Sequence, residues 1–212
     1  RTGNWDVLLI RPDGTEIRRL TDHPAEDDCP SWSPDGRRVA FKSNRDGNWE
    51  VYAVDVGDLS VTNLTQHPAN DRLSAWSPDG RRLAFVSDRS GDWDIWVLGL
   101  EDRTLDNLTR HPAEDDFPSW SPDGSRISFH SDRTGTSEIY VMQSSGGNLQ
   151  QLTSDDAENW AASWSPDGRS LAFTSDRDGD GDIYIMDLES GRVTKVTDNA
   201  YNDTWPTWAP NR

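Results

Sequence analysis

Trp32, Trp76, Trp120, Trp164 and Trp208 each stand 44 residues after the one before. The arginine of a recurring Asp-Arg or Asn-Arg pair keeps the same step at Arg45, Arg89, Arg133 and Arg177, and Arg1 continues the series backwards. No insertion interrupts the count. A period this strict means one supersecondary unit copied in tandem, each copy burying its apolar face against its neighbours. The fold must then be a stack or ring of about five like units.

The unit is β in character. The second repeat unit in full view contains four short runs: "PSWSP" (30–34), "VAFKS" (39–43), "EVYAVDV" (50–56) and "SVTNLT" (60–65). Their counterparts include "LAFVS", "ISFHS" and "LAFTS", then "DIWVL", "EIYVM" and "DIYIM". β-branched and aromatic residues fill the second and third runs, as half-buried pleated surfaces prefer. No stretch keeps a helical period over three turns. In "SPDG", Pro34 pre-sets φ and Gly36 can turn left-handed to close a hairpin. Four antiparallel strands per 44 residues predict an all-β fold, a β-propeller of about five four-stranded blades.

The succession "WSPDG", an "LAF" strand, "SDR", an "IYVM" strand and "LT" resembles the TolB-like, WD40-like propeller repeat over nearly the whole chain. True WD40 repeats end a strand on Trp-Asp with an upstream Gly-His; here Trp93-Asp94 opens a strand and no Gly-His occurs. The resemblance implies a bacterial envelope setting, periplasmic or extracellular. TolB proteins also carry an N-terminal α/β domain that has no counterpart in these residues, so their particular partners are not carried over.

One propeller domain is expected over 1–212, with repeat boundaries near 1–29, 30–73, 74–117, 118–161, 162–205 and 206–212. The second-strand phase occurs only four times, at Val39, Leu83, Ile127 and Leu171. Either one blade lacks that strand and is closed between the termini, or the chain is a section of a larger propeller, six blades being what the resemblance suggests. The first reading is preferred. An incomplete blade leaves edges that invite strand exchange or self-association between copies. The start, "RTGNWDV", lacks Met and begins mid-pattern, which reads as an excised or processed piece.

Charge narrows the partners. Asp and Glu number 38 against 21 Lys and Arg, a balance of −17. That excludes nucleic acid and anionic membrane surfaces and favours a cation or a basic protein or peptide. No apolar run approaches the ~18 residues of a membrane span, and the single Cys29 excludes an intrachain disulfide framework.

The loops after the second and fourth strands share one face, and Asp28, Asp116, Glu158, Trp160 and Trp205 are the expected partner-binding residues there. Asp27, Asp71, Asp115 and Asp203 recur at one phase with Asn159 in the fifth place, and read with Arg45, Arg89, Arg133 and Arg177 as structural braces. The phase-locked Trp32, Trp76, Trp120, Trp164 and Trp208 read as inter-blade cement. His23, His67 and His111 repeat in "HPA", but equivalent positions on neighbouring blades lie too far apart to share one zinc ion. In "DRDGDGDIY", Asp176, Asp178 and Asp180 before Gly181 fit the opening of a calcium loop, with Asp182 adding an oxygen. An ordinary acidic hairpin is the competing reading, because Tyr184 stands where such loops place a closing carboxylate.

No nucleophile elbow, phosphate-cradling glycine loop or His-Glu-x-x-His occurs. The expectation is a non-catalytic scaffold that presents an acidic loop face around a central channel to a protein or peptide. The alternatives are the gating propeller of a larger hydrolase and an engineered or amplified repeat protein without an evolved ligand.

Overall fold

The computed structural model describes residues 4–209, so residues 1–3, Arg1 among them, and 210–212 lie outside the description. Among the described residues every regular element is a strand. The first sheet is a hairpin of β1 (Leu8–Ile10) and β2 (Ile17–Arg19). Four antiparallel four-stranded sheets follow. Blade 1 holds β3 (Asp27–Trp32), β4 (Arg38–Ser43), β5 (Glu50–Asp55) and β6 (Val61–Asn63). Blade 2 holds β7 (Asp71–Trp76), β8 (Arg82–Ser87), β9 (Asp94–Gly99) and β10 (Leu105–Asn107). Blade 3 holds β11 (Asp115–Trp120), β12 (Arg126–Ser131), β13 (Glu138–Gln143) and β14 (Gln150–Gln151). Blade 4 holds β15 (Asn159–Trp164), β16 (Ser170–Ser175), β17 (Asp182–Asp187) and β18 (Val193–Lys195).

The turns form as their residues dictate. Ser33 Oγ donates to Asp35 at 2.6 Å, Arg37 N donates to the same carboxylate at 3.1 Å, and Gly36 takes φ +68°. A side-chain oxygen thus closes the turn that only glycine can finish cheaply. The first strand of each blade begins three residues before the "PSW" run suggests, because Asp27, Asp71, Asp115 and Asn159 pair in register with Ser43, Ser87, Ser131 and Ser175. Trp160 accordingly lies in a strand rather than in the loop before it.

Blades join through their tryptophans. Each inner strand lies against the preceding blade: β7 on β3, β4 and β5, β11 on β7, β8 and β9, β15 on β11, β12 and β13. The indoles of Trp76, Trp120 and Trp164 donate to the carbonyls of Ser31, Ala75 and Ser119 at 3.2, 3.1 and 3.1 Å. Arg38, Arg82 and Arg126 lie over those rings at 4.7, 4.5 and 4.5 Å. Around them Phe41, Phe85, Phe129 and Phe173 fill the sheet faces and are fully buried. An indole supplies the area for such a joint, and its N–H finds a partner there.

Among the described residues the two flanks are not joined into a closed ring. Trp208 Nε1 donates to Ser163 O at 3.0 Å, so the C-terminal segment sits on blade 4 as an inner strand would. The β1–β2 hairpin packs instead on blade 1, through Val7, Leu9 and Leu20 against Val39, Phe41, Tyr52 and Val54. A closed five-blade ring would have Trp32 donating to Thr207 O, the phase of Ser31, Ala75, Ser119 and Ser163. Trp32 is 49% exposed, against 7% for Trp76 and Trp120. No backbone hydrogen bond joins residues 198–209 to the hairpin among the described residues. Among the described residues four blades are complete, flanked by the β1–β2 hairpin and by the C-terminal segment carrying Trp208.

Candidate functional site at the channel mouth

Each inner strand carries a bulge at one phase. Between Asp28 and Ser31, Arg72 and Ala75, Asp116 and Ser119, and Trp160 and Ser163 the register slips. The residue after the slip adopts positive φ: Cys29 +51°, Leu73 +51°, Phe117 +54°, Ala161 +55°, and Trp205 +62° at the same phase. Non-glycine residues rarely sit there, and bulges re-aim side chains next to sites. All five line a cavity of about 650 Å³ with Pro30, Pro118 and Pro206. The inner strands thus form the wall of a central channel, and the bulge turns one side chain per blade into it. Trp205 reaches across to Phe117, ring centroids 4.5 Å apart, and Phe117 stacks on His130 at 5.1 Å.

Above the apolar wall lies a polar tier. Lys42 Nζ stands 4.1 Å over Trp49 and 3.3 Å from Asp28. Arg72 lies 4.0 Å over Trp93 and joins Asp116 at 2.9 Å, and it also pairs with Glu114. Two of the carboxylates expected to meet a partner, Asp28 and Asp116, are therefore already paired with cations of the chain. Asp116 is buried, and burial pushes its carboxyl up to about 6 although Arg72 pulls the other way. Burial likewise pushes His130 down to about 4, with Arg72 adding to the effect. Cys29 is exposed to the cavity, and partial desolvation by the surrounding wall, then hydrogen bonding to Asp28, pushes its thiol up to about 11. Glu158 is exposed and accepts from Ser137 N at 2.9 Å, Trp160 is half-buried, and Trp205 is exposed.

The phase-locked arginines sit beneath this rim. Arg45 binds both oxygens of Asp27 at 3.0 Å, Arg89 binds Asp71 at 2.9 and 2.8 Å, and Arg133 meets Asp115 at 2.7 Å. In blade 4, where Asn159 replaces the aspartate, Arg177 takes Asn159 Oδ1 at 2.9 Å and Asp155 at 3.0 Å. The arginine Nε atoms also donate to Ser43, Ser87, Ser131 and Ser175. Among the described residues no arginine meets Asp203; it accepts from Asn199 at 2.5 Å and its N–H donates to Gly181 O.

The calcium-loop spacing meets a different arrangement. Asp176 accepts from Glu158 N at 2.8 Å, Asp178 from Tyr184 at 2.5 Å, and Asp182 from Thr197 at 2.9 Å. Lys195 Nζ stands 3.1 Å from Asp178, 2.9 Å from Asp182 and 2.8 Å from Asp198. A cation of the chain lies where those carboxylates face one another, while Asp180 stays apart. Among the described residues no group of three or more His, Cys, Asp or Glu is arranged to hold a metal ion. His23, His67 and His111 accept from Ala25, Ala69 and Ala113 N and serve their own turns.

In the sequence Cys29, Lys42, Leu73, Arg72 and Phe117 carry no binding role, and His130 reads only as a strand residue for packing or surface. Their signal is divergence among copies: the phase of Asp28 holds Arg72, Asp116 and Trp160, that of Lys42 holds Val86, His130 and Thr174, and that of Cys29 holds Leu73, Phe117, Ala161 and Trp205. Copies that agree in turns and braces differ where the channel opens.

Fold and site together define a β-propeller whose blades wall a ligand-sized channel. The TolB beta propeller domain matches residues 61–211, and the chain belongs to that family. A protein TolB homolog of Chlorobium luteolum is 49% identical over 43 residues, 20% of this chain and 10% of that protein. TolB from Acinetobacter baumannii superposes with a TM-score of 0.80 at 23% identity, over 93% of this chain and 50% of that one. A puromycin-hydrolyzing peptidase of Mycobacterium tuberculosis superposes with a TM-score of 0.69 at 18% identity, over 84% of this chain and 30% of that one. The chain thus spans about half the length of the TolB structure and a tenth of the curated relative.

Proposed function

We propose that the chain is a non-catalytic binding propeller that takes a protein or peptide segment at its channel mouth. The cavity of about 650 Å³, walled by the bulge residues with Ser31, Ser74 and Ser119 among them, carries this reading. Apolar concavities ringed by a few polar groups are the usual form of a binding site. The exposed acids Glu26, Asp156 and Glu158 of the loops, with a net charge of −17, favour a basic segment whose apolar side chain packs onto the Phe117–Trp205 pair. The setting that fits is the bacterial envelope, periplasmic or extracellular, as for the TolB proteins the family is named after.

Calorimetric titration with synthetic peptides of alternating Lys and Trp, against Glu-for-Lys controls, tests it. The cationic peptides should bind, and Phe117→Ala should weaken them about tenfold, equivalent to about 1.4 kcal/mol. Equal affinity for both charge types, or none for either, refutes the reading. The likeness to the peptidase propeller supports a second one, a gating module of a larger hydrolase; an α/β-hydrolase sequence flanking this segment in its gene would favour it. A negative result in a broad partner screen would instead favour an amplified or engineered repeat without an evolved ligand.

A further inference from the structure

Two indoles at the channel mouth each carry a cation, and the chain supplies it by two different routes. Trp49 and Trp93 share a phase, yet the ammonium over Trp49 comes from Lys42 on β4 and the guanidinium over Trp93 from Arg72 on β7. One period on from Lys42 stands Val86, and one period back from Arg72 stands Asp28. A feature copied with the repeat returns at one phase, as the braces of Asp27, Asp71 and Asp115 do. This one arises twice from different positions, so it was not copied with the blade. Each cation also lies against a carboxylate: Lys42 Nζ is 3.3 Å from Asp28, and Arg72 is 2.9 Å from Asp116 and pairs with Glu114. An indole on one side and a carboxylate on the other is how a binding surface takes a foreign arginine or lysine. Asp28 and Asp116 directly precede Cys29 and Phe117 of the cavity wall, so both cradles open at its edge. The side chains of Lys42 and Arg72 are 19% and 28% exposed, so solvent reaches both.

We propose, taking the mouth as the site of a basic segment, that Lys42 and Arg72 are the chain's own stand-ins for cations of the partner, displaced when an arginine-bearing segment binds. The Arg72 cradle suits a guanidinium best, because a planar group stacks on Trp93 while its fork meets Asp116 and Glu114. Without a partner, Arg72 keeps the buried Asp116 paired, since an uncompensated buried carboxylate is costly. On binding, the partner's guanidinium takes over that pairing and Arg72 turns out to solvent. Exchange of one cation for another leaves no charge stranded. It also holds affinity below that of the bare cradle, so segments with an isolated charge are rejected.

Calorimetric titration of the full 212-residue chain with a peptide of alternating Arg and Trp tests this. Arg72→Gln should bind it about fivefold more tightly than the parent, and Lys42→Gln should independently bind it more tightly too. In the Arg72→Gln background, Asp116→Asn should remove the gain, which places the effect on that carboxylate. Arg81→Gln makes the same change of charge at an exposed turn on the opposite face and should stay within about twofold of the parent. Thermal melting by circular dichroism should show every variant folded at the titration temperature. Weaker binding by Arg72→Gln and Lys42→Gln would make the two cations contacts to the ligand and overturns the proposal. So does a gain that Arg81→Gln matches or that Asp116→Asn leaves intact. Unchanged affinity in both variants, with the parent still binding, overturns the displacement alone and leaves the mouth as a site; no binding by parent or variants refutes both.

Discussion

Replacing Trp120 and Trp32 by alanine in parallel isolates the worth of one blade joint, because the two residues share a phase and differ in whether the first two strands of a preceding blade pack on them. Burying about 200 Å² of indole at ~25 cal/mol per Å² is worth about 5 kcal/mol. Trp120, 7% exposed, holds nearly all of that, and adds the hydrogen bond to Ala75 O at 3.1 Å and the Arg82 guanidinium 4.5 Å over its ring. Those add about 1 and about 0.5–1 kcal/mol. Partial collapse of the cavity returns some of the sum, and truncations of buried aromatics reach about 3–5 kcal/mol. Trp120→Ala should therefore cost about 5 kcal/mol. Trp32 is 49% exposed, and among the described residues no arginine lies over its ring and no carbonyl accepts from it. Trp32→Ala should cost about 2 kcal/mol. At about 2–4 °C per kcal/mol for a chain of this length, the melting temperatures of the variants should differ by about 6–12 °C. The assay is thermal melting by circular dichroism at a protein concentration where the parent is monomeric. Equal losses, or a larger loss at Trp32, would refute the view that the joint to the preceding blade makes these tryptophans matter.

Asp116 predicts a pH dependence with a definite sign. Its folded value near 6 lies above the ~3.9 of an unfolded aspartate, so its contribution is fully favourable below about pH 4 and is lost as pH rises towards 6. Asp116→Asn should remove a loss of up to about 3 kcal/mol from that window, read as the difference between parent and variant urea midpoints; a flat difference from pH 4 to 6.5 would show that the carboxyl is not held by burial. Calcium at millimolar concentration should move the parent melting temperature by less than about 1 °C, since Lys195 already neutralises Asp178 and Asp182. A rise of several degrees that Asp178→Ala abolishes would establish a calcium site in this loop.

The sequence by itself determined the repeating unit, because a 44-residue period, alternation over four short runs and "SPDG" turns are local chemistry read within one copy. The shared step of the recurring aspartates and arginines also suggested their pairing, which occurs in three copies, while Arg177 meets Asn159 and Asp155 and Asp203 meets Asn199 instead. Two things needed the tertiary structure. The channel wall is set by a left-handed bulge that re-aims Cys29, Leu73, Phe117 and Ala161, and no propensity marks those residues for positive φ. The charges at the mouth read as a row of acids along the chain, yet Lys42 and Arg72 fold back over Trp49 and Trp93 to neutralise Asp28 and Asp116. Periodicity fixes what each blade is; the packing of each blade on the preceding one decides which tryptophan is buried and which carboxylate is free.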